Sequence, residues 1–312
     1  MIPFPWIEEL TQKKNEMPKD PRYQIEWKMD EPMSRHTSFG IGGSAALYAI
    51  CHTVAALQML LQTCQMANTP YIVLGNGTNV LFSDAPYPGV VIAMSGLRQV
   101  SVMGTEIVAE AGASLSTVAH AAENAALTGM ECLYGIPGSC GGAVFMNAGA
   151  YGGEMRDIVL ESTYLDTTDG SIHTLSKEAH AFGYRDSIYR HHPTWIVLSV
   201  KLSLRSGDKA AIHEQMEDYM QRRITKQPLD FPSAGSVFKR YPGRYTAQMI
   251  EEAGLKGVSV GGAQVSEKHA GFIINKGGAT AKDVTTLVEQ IRQTLHDKYG
   301  IWIECELIKL PK

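Results

Sequence analysis

Gly135-Ile136-Pro137-Gly138-Ser139-Cys140-Gly141-Gly142-Ala143, continued by Asn147-Ala148-Gly149-Ala150-Tyr151-Gly152-Gly153-Glu154, packs seven glycines into the twenty residues 135–154. A regular core element would be weakened by each of them, by ~0.5–1 kcal/mol relative to alanine. Close approach to a flat or phosphorylated ligand explains them better, because residues without side-chain bulk let successive backbone N–H groups converge on an anion. A second cluster, Gly75-Asn76-Gly77-Thr78-Asn79, follows the apolar strand Tyr71–Leu74 and has the same capacity. On pattern alone that shorter cluster is more often a plain tight turn. Neither is a Walker loop, and the second lacks the third glycine of a nicotinamide-binding fingerprint.

Outward from these loops, Ala45–Ile50 reads as a strand and Val54–Met66 as a helix behind the N-cap Thr53, with Leu57, Leu60 and Leu61 at helical spacing. Short β-like runs follow at Val90–Met94, Glu106–Ala109, Ser162–Asp166 and Trp195–Leu204, interrupted by a helix over Leu115–Thr128. Beyond Ser206-Gly207-Asp208 helices are expected over Lys209–Lys226, Tyr245–Glu252 and Ala281–Tyr299, and a terminal strand over Ile301–Leu310. This order suits α+β modules better than a continuous βα array. The first thirty residues read as a polar, proline-bearing lead-in.

The 312 residues allow two or three domains, and 44% hydrophobic with 19% charged residues is an ordinary globular balance. A net charge of −4 gives no surplus to neutralise a nucleic-acid backbone, so no nucleic-acid partner is expected. Five scattered cysteines without a CxxC pair encode neither a disulfide framework nor a zinc knuckle, so no metal is expected and a reducing cytoplasm fits best. The start does not read as a secretory leader, and no run approaches the ~18 apolar residues of a membrane span. No membrane partner is expected.

Further motifs run along the chain: His36-Thr37-Ser38-Phe39-Gly40-Ile41-Gly42-Gly43, Leu74–Leu81, Gly135–Glu154 and Phe182-Gly183-Tyr184-Arg185-Asp186-Ser187. They continue through Ser233-Ala234-Gly235-Ser236-Val237-Phe238-Lys239, Ala253-Gly254-Leu255-Lys256-Gly257, Val265–Phe272 and Ile303-Glu304-Cys305-Glu306. With these stretches in order over about residues 34–308, the chain resembles the UDP-N-acetylenolpyruvoylglucosamine reductase (MurB) family. The resemblance implies a two-part FAD-binding domain of the vanillyl-alcohol-oxidase (PCMH-like) type over 1–90 and 91–206, followed by a C-terminal α+β substrate domain over 207–312. It implies FAD and NADPH as cofactors, a UDP-sugar substrate, and reduction of its enolpyruvyl ether to a lactyl ether in peptidoglycan precursor synthesis.

Carried over position by position, the resemblance gives Gly42, Gly43, Gly75, Asn76, Gly77, Thr78, Asn79, Val80, Gly138, Ser139, Gly141, Gly142 and Asn147 to the cofactor. It gives Arg185, Ser236 and Glu306 to catalysis. Hydride addition builds negative charge beside the substrate carboxylate, which a guanidinium fork is suited to hold; a salt bridge from Arg185 to Asp186, or a surface position, is the alternative. The resemblance assigns proton delivery to Ser236, with a plain turn serine as its alternative. A carboxyl at Glu306 helps only in its protonated, hydrogen-bond-donating form, and pattern alone would turn Glu304 and Glu306 outward from a terminal strand. Tyr151, Lys226 and Lys239 are the substrate-binding candidates, although a lysine at the end of a helix also answers the helix dipole. His36 and His269 read as structural.

Two departures mark a shorter subtype. Arg240-Tyr241-Pro242 stands where some members carry Asn-Pro, and the segment 186–235 leaves no room for a tyrosine-bearing loop found in others. Two other functions remain in view: a different flavin oxidoreductase on the same fold, and a flavin-binding module without turnover.

Overall fold

The computed structural model describes residues 20–311; the expectation of a polar start without a leader falls, up to position 19, outside them. Contacts group the chain into two compact units. The first comprises residues 20–30, Ala45–Asn76 and Pro88–Met220, and the second Glu31–Ser44, Gly77–Tyr87 and 221–311. The stretches 1–90 and 91–206 thus contribute most of their described residues to one unit.

Its first sheet has the strand order Ile25–Pro32, Ser44–Cys51, Tyr87–Ala93, Tyr71–Leu74, the last two parallel. Strand 87–93 therefore enters between the two strands that flank the helix Val54–Met66. That helix begins where expected, Thr53 Oγ1 accepting from the Ala56 N–H at 3.0 Å, and Leu57, Leu60 and Leu61 are buried on its inner face. The strand Ile25–Pro32 corrects the lead-in reading. It lies at the sheet edge and alternates half-buried Ile25 and Trp27 with exposed Glu26 and Lys28, a weak apolar signal.

The second sheet is antiparallel, in the order Ile172–Ser176, Val159–Asp166, Trp195–Ser203, Glu106–Glu110, Val100–Met103. The helix over Leu115–Asn124 packs against its last strands, four residues shorter than expected. Helix Lys209–Lys226 starts in the first unit, whose core buries Ile212 and Met216 one turn apart. A boundary near 206 therefore falls ahead of the helix residues that this unit keeps.

The second unit has an antiparallel sheet, Ser233–Ser236, Phe272–Asn275, Ala263–Val265, Ser259–Val260. Against it lies the helix Ala281–Tyr299, which buries Val284, Leu287, Val288, Ile291 and Leu295 and opens with a reciprocal Thr280–Asp283 cap. The expected terminal strand shrinks to Ile308–Leu310, which runs parallel to Val80–Phe82. Among the described residues no helix is long and apolar enough to cross a membrane.

Candidate active site

Gly75 and Asn76, which open the shorter glycine cluster, meet the longer cluster inside the first unit. Strand 71–74 ends at Gly75, where a β-carbon would come 2.5 Å from Ser139 Oγ. Asn76 Nδ2 donates to Pro137 O at 3.0 Å. Ser139 is buried because its Oγ caps the helix Cys140–Phe145, accepting from the Gly142 N–H at 3.4 Å.

In the second unit Gly77, at φ +64°, lies on the His36–Ser38 stretch. The Ser38 N–H donates to Gly77 O at 3.0 Å, and a β-carbon on Gly77 would overlap His36 O, so only glycine fits. Among the described residues the N–H groups of Gly77, Thr78 and Asn79 donate to no protein acceptor. This stretch thus offers consecutive donors, a chemistry that fits the phosphates of a dinucleotide.

Other expected cofactor residues are engaged within the protein. The Gly43 N–H donates to Ser83 O at 2.8 Å, Gly42 O accepts from Ser34, and Gly141 donates to Ala111 O at 2.8 Å. Gly138 O accepts from the Leu115 N–H, and Val80 opens the strand paired with Ile308. Asn147 is fully buried: its Nδ2 donates to Glu154 Oε2 (2.9 Å) and Gly183 O (2.8 Å), and its Oδ1 accepts from the Arg156 N–H (3.0 Å). Its amide ties the glycine-rich loop to the turn at 183.

That turn carries Arg185. Gly183 and Asp186 exchange backbone hydrogen bonds of 3.0 and 3.3 Å across it, and Arg185 adopts φ +55°. The guanidinium donates from Nη2 to Gly149 O at 3.1 Å and lies 5.1 Å from the Tyr184 ring centroid. Asp186 is engaged by Arg190 and His191. The first unit therefore brings Arg185 to the loop that bears Tyr151, whose ring stacks on Tyr219 with centroids 4.5 Å apart and planes 2° from parallel. Tyr219 belongs to no motif, and only its place on the helix after 209 ties it to the site.

The second unit brings Ser236 and Glu306 together through the backbone. The Glu306 N–H donates to Val237 O at 2.8 Å, and Phe238 pairs with Cys305 beside it. On the other flank Asn79 Nδ2 donates to Glu306 O at 3.2 Å, and the Ile308 N–H to Asn79 O at 3.1 Å. Glu306 is half-buried between the Gly77–Asn79 loop and the serine loop, unlike the outward setting that pattern alone gives. Ser236 Oγ makes one long bond, donating to Phe238 O at 3.2 Å.

Lys239 lies on the same ribbon and pairs with exposed Glu304 at 3.0 Å, a surface bridge worth about 0–1 kcal/mol that a ligand anion can replace. Lys226 is exposed at the last position of its helix, where Lys268 Nζ also reaches Ile224 O at 2.6 Å. His269 is internal: its Nδ1 accepts from the Gly271 N–H, and burial holds its imidazole below the usual range. Burial pushes the Cys140 thiol up to about 12, so the cysteine of the glycine cluster stays a neutral packing residue. Among the described residues no group of three or more His, Cys, Asp or Glu is placed to hold a metal.

Comparison with known proteins identifies the family. Residues 227–310 match the family described as UDP-N-acetylenolpyruvoylglucosamine reductase, C-terminal domain, and residues 45–176 match the FAD binding domain. The chain is 50% identical over 279 residues to the UDP-N-acetylenolpyruvoylglucosamine reductase of Caldanaerobacter subterraneus subsp. tengcongensis, covering 89% of this chain and 92% of that one. It is 44% identical over 283 residues to the enzyme of the same name from Latilactobacillus sakei, covering 91% and 93%. Among solved structures it is similar to the crystal structure of UDP-N-acetylenolpyruvylglucosamine reductase from Thermus caldophilus, with TM-score 0.77, 34% identity, and 92% and 99% of the two chains covered.

Proposed function

This chain belongs to the UDP-N-acetylenolpyruvoylglucosamine reductase family, and from that premise we infer how its own residues carry out the reaction. The protein is an FAD- and NADPH-dependent reductase that converts UDP-N-acetylglucosamine enolpyruvate to UDP-N-acetylmuramate for peptidoglycan synthesis. FAD, when bound, would supply the hydride-transfer chemistry between NADPH and the enolpyruvyl ether.

The residues that would hold FAD are Gly75, Asn76, Gly77, Thr78 and Asn79, with Gly138 and Ser139 closing on Gly75. Arg185 takes the substrate carboxylate in its guanidinium fork and stabilises the charge that develops there. Ser236 delivers a proton to the carbon beside the carboxylate. Glu306, in its protonated form, donates a hydrogen bond to the same carboxylate. Tyr151, Lys226 and Lys239 bind the UDP-sugar, the lysines as counter-charges to its diphosphate. We propose that this work is done in the cytoplasm, on the grounds that NADPH is its reductant.

The observation that carries the roles of Ser236 and Glu306 is the hydrogen-bonded run from the Asn79 side chain through the Glu306 backbone to Val237, because it sets both residues beside the cofactor loop. The test is product identity. Flavin-loaded protein given NADPH and the enolpyruvyl ether should yield the lactyl ether, heavier by two hydrogens. Oxidation of an alcohol instead, or flavin binding with no product, would overturn it in favour of another flavin oxidoreductase or a non-catalytic module.

A further inference from the structure

Behind the turn of Arg185 lies a buried polar relay. Ser162, on the strand Val159–Asp166, has its Oγ 2.7 Å from His180 Nε2 and 2.6 Å from the Tyr189 hydroxyl, and all three residues are at most 1% exposed. His180 Nδ1 faces only backbone acceptors, Ser176 O at 2.8 Å and Lys177 O at 3.3 Å. Carbonyls cannot donate, so Nδ1 carries the proton and Nε2 is the acceptor of a neutral ring. Every bond then has one direction: Tyr189 O–H to Ser162 Oγ, Ser162 O–H to His180 Nε2, and Nδ1–H to Ser176 O.

Burial keeps the relay uncharged, holding His180 below the ordinary imidazole range and pushing the Tyr189 phenol up to about 12. The titratable groups around it are Glu178, on the same turn as His180, and Tyr164, whose ring lies edge-on to Tyr189. Phe182 stacks on the His180 ring, with centroids 4.8 Å apart.

His180 and Tyr189 bracket residues 181–188, and Arg185 sits between them. Its φ of +55° costs a non-glycine residue about 1–2 kcal/mol, so the surroundings must impose it. Asn147 grips the turn at Gly183, and Ser187 Oγ donates to Phe145 O at 2.9 Å. Ser162 fastens both ends to the sheet.

We propose that Ser162, His180 and Tyr189 are positioning residues for Arg185, holding its left-handed turn so that the guanidinium meets the substrate carboxylate in one orientation. This rests on the carboxylate-binding role of Arg185. Ser162→Ala leaves two buried polar groups unpaired and frees both ends of the turn. In the flavin-loaded protein it should slow reoxidation by the enolpyruvyl substrate about tenfold or more, while flavin reduction by NADPH stays within about twofold. Ser162→Thr, which keeps the hydroxyl, should recover most of the loss, and Tyr189→Phe should give a smaller loss in the same half-reaction. In an Arg185→Lys background, Ser162→Ala should add no more than about twofold.

Equal slowing of both half-reactions, or an unchanged substrate half-reaction in Ser162→Ala, would overturn the positioning role. Should Ser162→Ala fail to bind flavin, Tyr189→Phe decides by the same split. An Arg185→Lys protein that reacts normally with substrate would instead sink the role of Arg185 itself, so the two failures are told apart.

Discussion

Ser236→Ala should take up hydride from NADPH at nearly the native rate and yet be reoxidised by the enolpyruvyl substrate about 10²–10⁴-fold more slowly, the range that a positioned general acid supplies. As the proposed proton donor, Ser236 would have no part in the first half-reaction, whereas the second could not finish until a proton reached the carbon beside the carboxylate. The fold should tolerate the change. Ser236 ends the strand Ser233–Ser236 behind Gly235 at φ +74°, and its hydroxyl makes one long bond to Phe238 O. Rapid-mixing measurements of the two half-reactions on one preparation check this. Equal damage to both would show a serine that holds the loop and does no proton transfer.

Arg185→Lys should also fail in the substrate half-reaction although its charge is kept. A lysine presents a point charge in place of a planar fork, and a lost charge-assisted hydrogen bond of about 1.5–3 kcal/mol amounts to about 10–100-fold in kcat/KM for the enolpyruvyl substrate. Because Arg185 is at φ +55°, lysine meets the same backbone cost, so the melting temperature should hardly move. Steady-state kinetics against a thermal melt separate the two effects. A lysine variant with native kcat/KM would remove the fork from the account.

The periodic elements were legible in the sequence because their apolar spacing is local. Thr53 with Leu57, Leu60 and Leu61 specified a helix that forms as expected, and Lys209–Lys226 and Ala281–Tyr299 formed over the residues read for them. The half-polar edge strand Ile25–Pro32 escaped notice because only one weak face points inward.

Glycine carries the opposite difficulty. Gly43 is required because the backbone at Asp84 runs against it and Gly141 because Ala111 does, its β-carbon nearest, and their N–H groups are spent on neighbouring carbonyls. In sequence such glycines look the same as those of the open Asn76–Asn79 loop. The half-buried setting of Glu306 was hidden for a related reason: its alternation with apolar neighbours suggested a strand, but the ladder begins only at Ile308 and the backbone of 304–307 pairs with 237–239 instead. Nor could any local pattern bring Tyr219 under Tyr151 or Ser162 under the turn of Arg185, since these contacts join residues far apart in the chain.

Anaerobic titration of the flavin-loaded protein, bleached beforehand by NADPH, is the most direct measurement of what the protein does with its substrate. Each equivalent of the UDP-linked enolpyruvyl ether should restore one equivalent of yellow, oxidised flavin. A protein that bleaches but stays colourless when the ether is added would contradict the account.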